Sequence, residues 1–280
     1  MNTTEYLSKW AISYKDDIIN NIMPFWMKYG LDREHGGVYT CVNRDGSLID
    51  TTKSVWFQGR FGFIAAYAYN NIEKNPQWLA ASKSCIDFIE AHCFDTDGHM
   101  FFEVTEDGKP LRKRRYVFSE GFAAIAMAEY ALATGEKEYA KKALDIFKRT
   151  LHFLNTPGFL EPKYLPTLPS RGHSITMILI NTASRIRMVI DDPSLTEQID
   201  TSIAALRKYF IHPEFKALLE MVGPDGEFID TCNGRVINPG HCIETAWFIM
   251  EEAKYRNWDK DLLQLALQIL DWSWEWGWDK

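Results

Sequence analysis

The 280-residue sequence has no cationic excess: 31 Lys and Arg stand against 38 Asp and Glu, a formal net charge of −7. A protein that grips nucleic-acid backbones wants a basic surface, so that class is excluded as a general reading. The one dense basic run, 112–115, reads as a solvated turn inside a hairpin. No apolar run approaches the ~20 residues that span a bilayer, so no membrane segment is expected. The first ten residues carry neither a basic n-region nor an apolar core, so no signal peptide is expected either. The five cysteines (Cys41, Cys85, Cys93, Cys232, Cys242) form an odd set without CxxC spacing. That usage fits a reducing cytoplasm and gives neither a disulfide framework nor a zinc or other metal site. A P-loop, a GxGxxG turn after a strand, a GxSxG elbow and an HExxH helix are all missing, so no cofactor is demanded.

What is present is apolar and aromatic. Hydrophobic residues make up 46% and aromatics 14%, with ten Trp, which is too apolar for a disordered chain. Across 5–29 the apolar residues Leu7, Trp10, Ile18, Ile22, Phe25 and Trp26 recur at helical spacing. Similar patterns predict helices over 54–73, 77–93, 119–134, 137–154, 171–190, 195–210, 239–255 and 260–274. That makes nine helices, with strand confined to brief hairpins such as 37–42.

The connections alternate in length. Short ones (74–76, 135–136, 191–194, 256–259) follow the second, fourth, sixth and eighth helices, and long ones (30–53, 94–118, 155–170, 211–238) precede them. Short αα-loops make neighbours antiparallel, so all long loops emerge on one side. The long loops also repeat: "HGGVYTCVNRDGSL" resembles "DGHMFFEVTEDGKPL", with Asp-Gly turns 62 residues apart at Gly46 and Gly108. A third, at Gly226, follows 118 residues later, close to twice that period. Helix, long hairpin loop, helix at a period of about 60 residues is a repeat architecture. Its simplest closed form is an all-α toroid of inner and outer helices, and its open form is a helical solenoid. The even-numbered helices would be inner.

Each inner helix then begins on the long-loop side behind a plausible cap: Ser54, Ser119, Ser170 and Asn238. Just inside lie Trp56, Gln58 and Arg60, then Glu120, then Arg171 and His173, then His241 and Glu244. The set suggests a cup around a polar ligand. With Asn238 as cap, Pro239 falls at the first helical position and His241 at the third. The positive helix end disfavours imidazolium, so His241 is expected neutral and suited to general-base work. Glu244, three residues on, would orient the ring, oppose the dipole or contact a ligand hydroxyl. His173 is expected at the third position behind Ser170, with Met177 one turn on. Trp56 and Arg60 share a stripe on which a sugar ring could stack and a guanidinium could donate to oxygens. Against each stands a bland alternative: core packing for the aromatics, satisfied structural groups for the histidines, a helix-start carboxylate for Glu120.

The segments "VWFQGR", "FSEGF", "SRGHSITMILIN" and "NPGHCIETAWF" together resemble the N-acylglucosamine 2-epimerase family, which includes renin-binding protein. The motifs stand in family order over residues 54–248. The resemblance implies an (α/α)6 barrel and an isomerase that interconverts N-acylglucosamine and N-acylmannosamine. Ring opening, removal of the C2 proton and reprotonation would proceed through an enediolate. It makes His241 a proton-transferring histidine and places Arg60 near the sugar oxygens. It sets His173 beside the ring-opening step, and Trp56, Gln58, Glu120, Arg171, Met177 and Glu244 around the substrate. It also implies a homodimer, and a second catalytic histidine further along the chain than Lys280. A closed ring of twelve helices at this spacing needs roughly 370 residues, so 1–280 is expected to be one barrel domain lacking its last three helices. Three other readings compete: an aldose–ketose isomerase or cellobiose 2-epimerase of the same fold; a glycoside hydrolase using Glu120, Glu244 and Asp225; and a non-catalytic partner-binding protein.

Overall fold

The computed structural model describes residues 2–113 and 116–279, so Arg114 and Arg115 of the basic run lie outside the described residues. Nine main helices are found among the described residues, and their bounds follow the apolar periodicity closely. Helix α1 (Thr3–Asp17) opens on a capping box, Asn2 with Glu5. It runs on through two π-helical turns, Ile18–Ile22 and Trp26–Gly30, on either side of Met23–Phe25. Pro24 sits between them and has no N–H to give the preceding turn. The slip to wider bonding, as from Met23 N–H to the Ile18 carbonyl, keeps the chain helical around it. Among the described residues no helix is long and apolar enough to cross a membrane.

The chain forms two compact units, Met1–Leu160 and Glu161–Lys280. In the first, α2 (Val55–Asn71) packs on α3 (Pro76–His92) and α4 (Phe118–Thr134), and α4 packs on α5 (Lys137–Asn155). In the second, α6 (His173–Arg187) packs on α7 (Pro193–Ala205) and α8 (Pro239–Tyr255), and α8 packs on α9 (Lys260–Gly277). Each even-numbered helix therefore meets another even one and the odd helix that follows it by a short loop, as the loop lengths predict; α4 also touches α3. Residue type shows why. Helix α4 is buried at every position from Ser119 to Ala131, which suits a helix covered on all sides. Helix α5 buries one stripe, including Ala143, Ile146, Phe147 and Phe153, and leaves its charged face to water.

Small residues let α2 and α4 approach closely. A Cβ on Gly59 would fall 2.6 Å from the Phe122 carbonyl carbon, a backbone atom of a buried helix that cannot step aside. Ala is the better helix former by up to about 1 kcal/mol, but overpacking against fixed backbone costs more. Gly59→Ala should lower stability by about 2 kcal/mol, read from the urea midpoint.

The long loops carry short antiparallel sheets. These are β1 (Cys41–Val42) with β2 (Leu48–Asp50); β3 (Lys53–Ser54), β4 (Phe101–Val104) and β5 (Pro110–Lys113); β6 (Arg171–Gly172) with β9 (Met221–Val222); and β7 (Ile211–His212) with β8 (Ala217–Leu218). Their Asp-Gly turns hold Gly46, Gly108 and Gly226 at φ of 88°, 87° and 95°, where a side chain would be strained. Lys53 fastens two of these loops. It is fully buried, and its Nζ donates to Asp32 Oδ2 at 2.7 Å, to the Gly36 carbonyl at 2.8 Å and to the Glu106 carbonyl at 2.7 Å. The Phe88 ring covers the ammonium at 4.2 Å.

Two of the expected caps move, and a third keeps its place without a capping bond. Helix α4 starts behind Val117, and the Ser119 hydroxyl donates instead to the Phe101 carbonyl. Ser54 precedes α2 but its side chain makes no capping bond. Helix α6 starts behind Gly172, not Ser170, because Arg171 and Gly172 are spent as strand β6 against β9. His173 is thus the first residue of its helix, not the third. Asn238 behaves as expected: its Oδ1 accepts from the His241 N–H at 3.2 Å.

Candidate active site

In the second unit three side chains converge that lie far apart in sequence. Pairing of β6 with β9 sets Gly172 opposite Met221, and the His173 N–H donates to the Glu220 carbonyl at 3.0 Å. Glu220 is therefore held beside the start of α6. Its carboxylate also meets the start of α8, where Oε1 and Oε2 lie 3.1 and 3.0 Å from His241 Nδ1. A carboxylate only accepts, so His241 carries its proton on Nδ1. In the neutral ring Nε2 then holds the lone pair, the state a general base needs. The His241 side chain is 34% exposed.

His173 is placed differently from expectation. It is fully buried, with Nε2 2.9 Å from the Thr245 hydroxyl. That hydroxyl gives its own proton to the His241 carbonyl at 2.8 Å, so it must accept from His173 Nε2–H. His173 Nδ1 makes no hydrogen bond and faces Glu220 Oε2 at 3.6 Å. His173 is thus packed between Glu220 and Thr245, away from solvent. The nitrogen and oxygen donors of His173, Glu220 and His241 all lie within 4.8 Å of one another, a set that could hold a metal ion.

Burial pushes the Glu220 carboxyl up, but His173 and His241, which face it as donors and charges, outweigh that and bring it down to about 2 from 4.5. A carboxyl lowered on folding stabilises the protein above its unfolded value, and that stability is lost as pH falls toward the folded one. Between pH 6 and pH 3 the wild-type chain should therefore lose about 2 kcal/mol that Glu220→Gln does not lose. Urea unfolding at the two pH values reads this, and parallel losses in both proteins would refute it.

The remaining expected residues in this unit are peripheral to that triad. Arg171 lies in β6, is exposed, donates from Nε to the Pro224 carbonyl at 3.0 Å and covers the Tyr209 ring. Met177 is a buried core side chain of α6. Glu244 is half-buried on α8, and the carboxylate seen bonded to the His241 ring is that of Glu220. The sequence reading missed Glu220. Its signal was present: one carboxylate set in the apolar run Ala-Leu-Leu-Glu-Met-Val, where an acid needs a partner.

In the first unit Trp56 is half-buried at the start of α2, edge-on to Phe102, Phe118 and Phe122. Arg60 is exposed, with its guanidinium 4.4 Å from the centre of the Phe122 ring. Gln58 departs from expectation. It is fully buried, and its amide accepts from the Val38 N–H at 2.8 Å and donates to the Val38 carbonyl at 2.6 Å. Both ends are consumed in holding the first long loop. Glu120 is also buried; Oε1 accepts from the Met100 N–H at 2.7 Å and from His99 Nδ1 at 2.5 Å, while Oε2 has no partner. It braces the second hairpin.

The family profile of N-acylglucosamine 2-epimerase (GlcNAc 2-epimerase) matches residues 37–280. The chain belongs to the N-acylglucosamine 2-epimerase family. The N-acylglucosamine 2-epimerase of Rattus norvegicus is 28% identical over 270 residues, covering 93% of this chain and 64% of the relative. The chain thus spans about two thirds of the length of the curated relatives it matches. Among solved structures, cellobiose 2-epimerase from Bacillus thermoamylovorans superposes with a TM-score of 0.83 at 20% identity, over 96% of this chain and 72% of that one. A D-mannose isomerase gives a TM-score of 0.76 at 18% identity, over 96% and 72%. These structural likenesses show the fold, that of the α/α-toroid enzymes, as the loop lengths and repeat period of this epimerase-family chain had implied.

Proposed function

We propose that the protein is a sugar 2-epimerase that interconverts N-acylglucosamine and N-acylmannosamine. The observation that carries this is His241: third residue of α8, Nδ1 tied to Glu220, in a chain of the epimerase family. The sugar ring opens to expose the aldehyde, which makes the C2 hydrogen acidic. His241 Nε2 takes that proton, and the electron pair moves into an enediolate. A proton returned to the opposite face of C2 gives the epimer; one returned by His241 regenerates the starting sugar. Glu220 keeps His241 in the tautomer that can accept, and His173 with Thr245 keeps Glu220 and the first turn of α8 in place. By resemblance, Arg60 is assigned to the sugar oxygens and Trp56 to the sugar ring. The same resemblance proposes a homodimer, and the cysteine usage a cytoplasmic location.

Side-by-side assays test the substrate class. N-Acetylglucosamine and N-acetylmannosamine should interconvert, with cellobiose and free mannose turned over far more slowly. Preference for cellobiose or mannose would move the protein to the other branches that share this fold. Release of reducing ends from an oligosaccharide would indicate a hydrolase.

A further inference from the structure

The histidine–carboxylate–histidine cluster has a feature that general-base chemistry leaves unused. His173 is fully buried, and its Nε2–H is committed to Thr245, whose own proton is committed to the His241 carbonyl. In the neutral ring this leaves a lone pair on Nδ1, aimed at a carboxylate oxygen 3.6 Å away. Two electron-rich atoms facing each other call for a cation between them, either a proton on Nδ1 or a metal ion. We propose that His173 Nδ1, a carboxylate oxygen of Glu220 and His241 Nδ1 form a site for one divalent transition-metal ion of the zinc type.

The dimensions suit it. Zinc bound at about 2.0–2.1 Å in tetrahedral geometry holds neighbouring donor atoms about 3.3 Å apart. Glu220 stands 3.0 and 3.1 Å from His241 Nδ1 and 3.6 Å from His173 Nδ1, on either side of that spacing. The donors span no more than 4.8 Å, so side-chain shifts of about 1 Å close the set. Two imidazoles and a carboxylate with a fourth position left for water is a ligand set zinc accepts. The surroundings are those of a metal ligand too: the second ring nitrogen of His173 is held by Thr245, and Glu220 is fixed by the backbone bonds to His173 and Val236. Glu220 and His241, both partly exposed, form the side from which an ion enters.

Binding moves the proton of His241 from Nδ1 to Nε2, the nitrogen assigned to take the C2 proton. The bound metal therefore switches the site off, a consequence that rests on the epimerase reading, whereas the binding itself does not.

The test is equilibrium dialysis of the full, untagged chain against zinc without sugar, together with the visible spectrum of the cobalt(II) form. One ion per chain is expected, with the intense bands of a four-coordinate site. Glu220→Gln and His241→Gln, each checked for folding by circular dichroism, should each bind at least 10-fold more weakly. His212→Gln, which removes a different histidine–carboxylate pair, should bind like wild type. Should Glu220→Gln not fold, His241→Gln decides alone. No binding by the wild-type chain, or unchanged affinity in the folded variants, overturns the proposal.

Discussion

Replacing His241 with Asn is expected to lower kcat for N-acetylglucosamine epimerisation by about 10³-fold, with KM nearly unchanged. General acid–base groups contribute about 10²–10⁴-fold, and the expected loss lies in the middle of that range. Asn is chosen because its side chain can still donate to Glu220 in place of Nδ1–H, and the Asn238 cap bonds the backbone, so α8 keeps its start. The loss should therefore be chemical rather than structural. Glu220→Gln should sit between the two proteins: an amide can still face Nδ1 but no longer demands the proton there, so the ring samples the wrong tautomer. Initial rates over a range of sugar concentrations separate kcat from KM for all three.

The largest effect on stability is expected at Lys53, whose ammonium takes no part in the proposed chemistry. Lys53→Met deletes an ammonium that is fully buried and leaves Asp32, 1% exposed in its side chain, without its cation. It also strands the Gly36 and Glu106 carbonyls that the ammonium joins. Breaking one side of a buried pair costs about 3–5 kcal/mol, because the surviving charge stays out of water. Asp32 feels the arrangement in the opposite sense: burial pushes its carboxyl up, and the Lys53 bond with the His35 and Glu34 N–H groups brings it below the usual value. Pairing Lys53→Met with Asp32→Leu should recover much of the loss, since removing both charges leaves none unpaired. Urea midpoints of the two variants decide it, and equal losses would show that the ion pair is incidental.

Helix positions were legible because they depend on local spacing. Apolar residues at i, i+3 and i+4 mark the buried face of α5, and Pro239 behind Asn238 marks the first turn of α8, so their bounds follow from neighbours in sequence. The alternation of short and long loops told which helices lie inside, because a short loop leaves no choice but an antiparallel partner. His241 was legible for the same local reason. Glu220 was not: it lies 21 residues before His241, and it is positioned by the pairing of β6 with β9, two residues per strand, and by its N–H bond to the Val236 carbonyl. Strands that short carry no alternation to read. The same limit misplaced Gln58 and Glu120. Both sit at helix starts where a ligand group would be expected, yet each is turned onto a long loop, Gln58 onto Val38 and Glu120 onto Met100. Sequence spacing gave their side of the helix but not what covers it. His173 moved from third to first position because strand β6 took Arg171 and Gly172, a tertiary claim on residues that would otherwise have extended the helix.

The assignment of His241 as the group that takes the C2 proton is tested most directly by running the reaction in D2O and following the C2 position of N-acetylglucosamine by NMR. The wild-type chain should place deuterium at C2, and a folded His241→Asn variant should place none on the same time scale. Exchange at the wild-type rate in that variant would contradict the assignment.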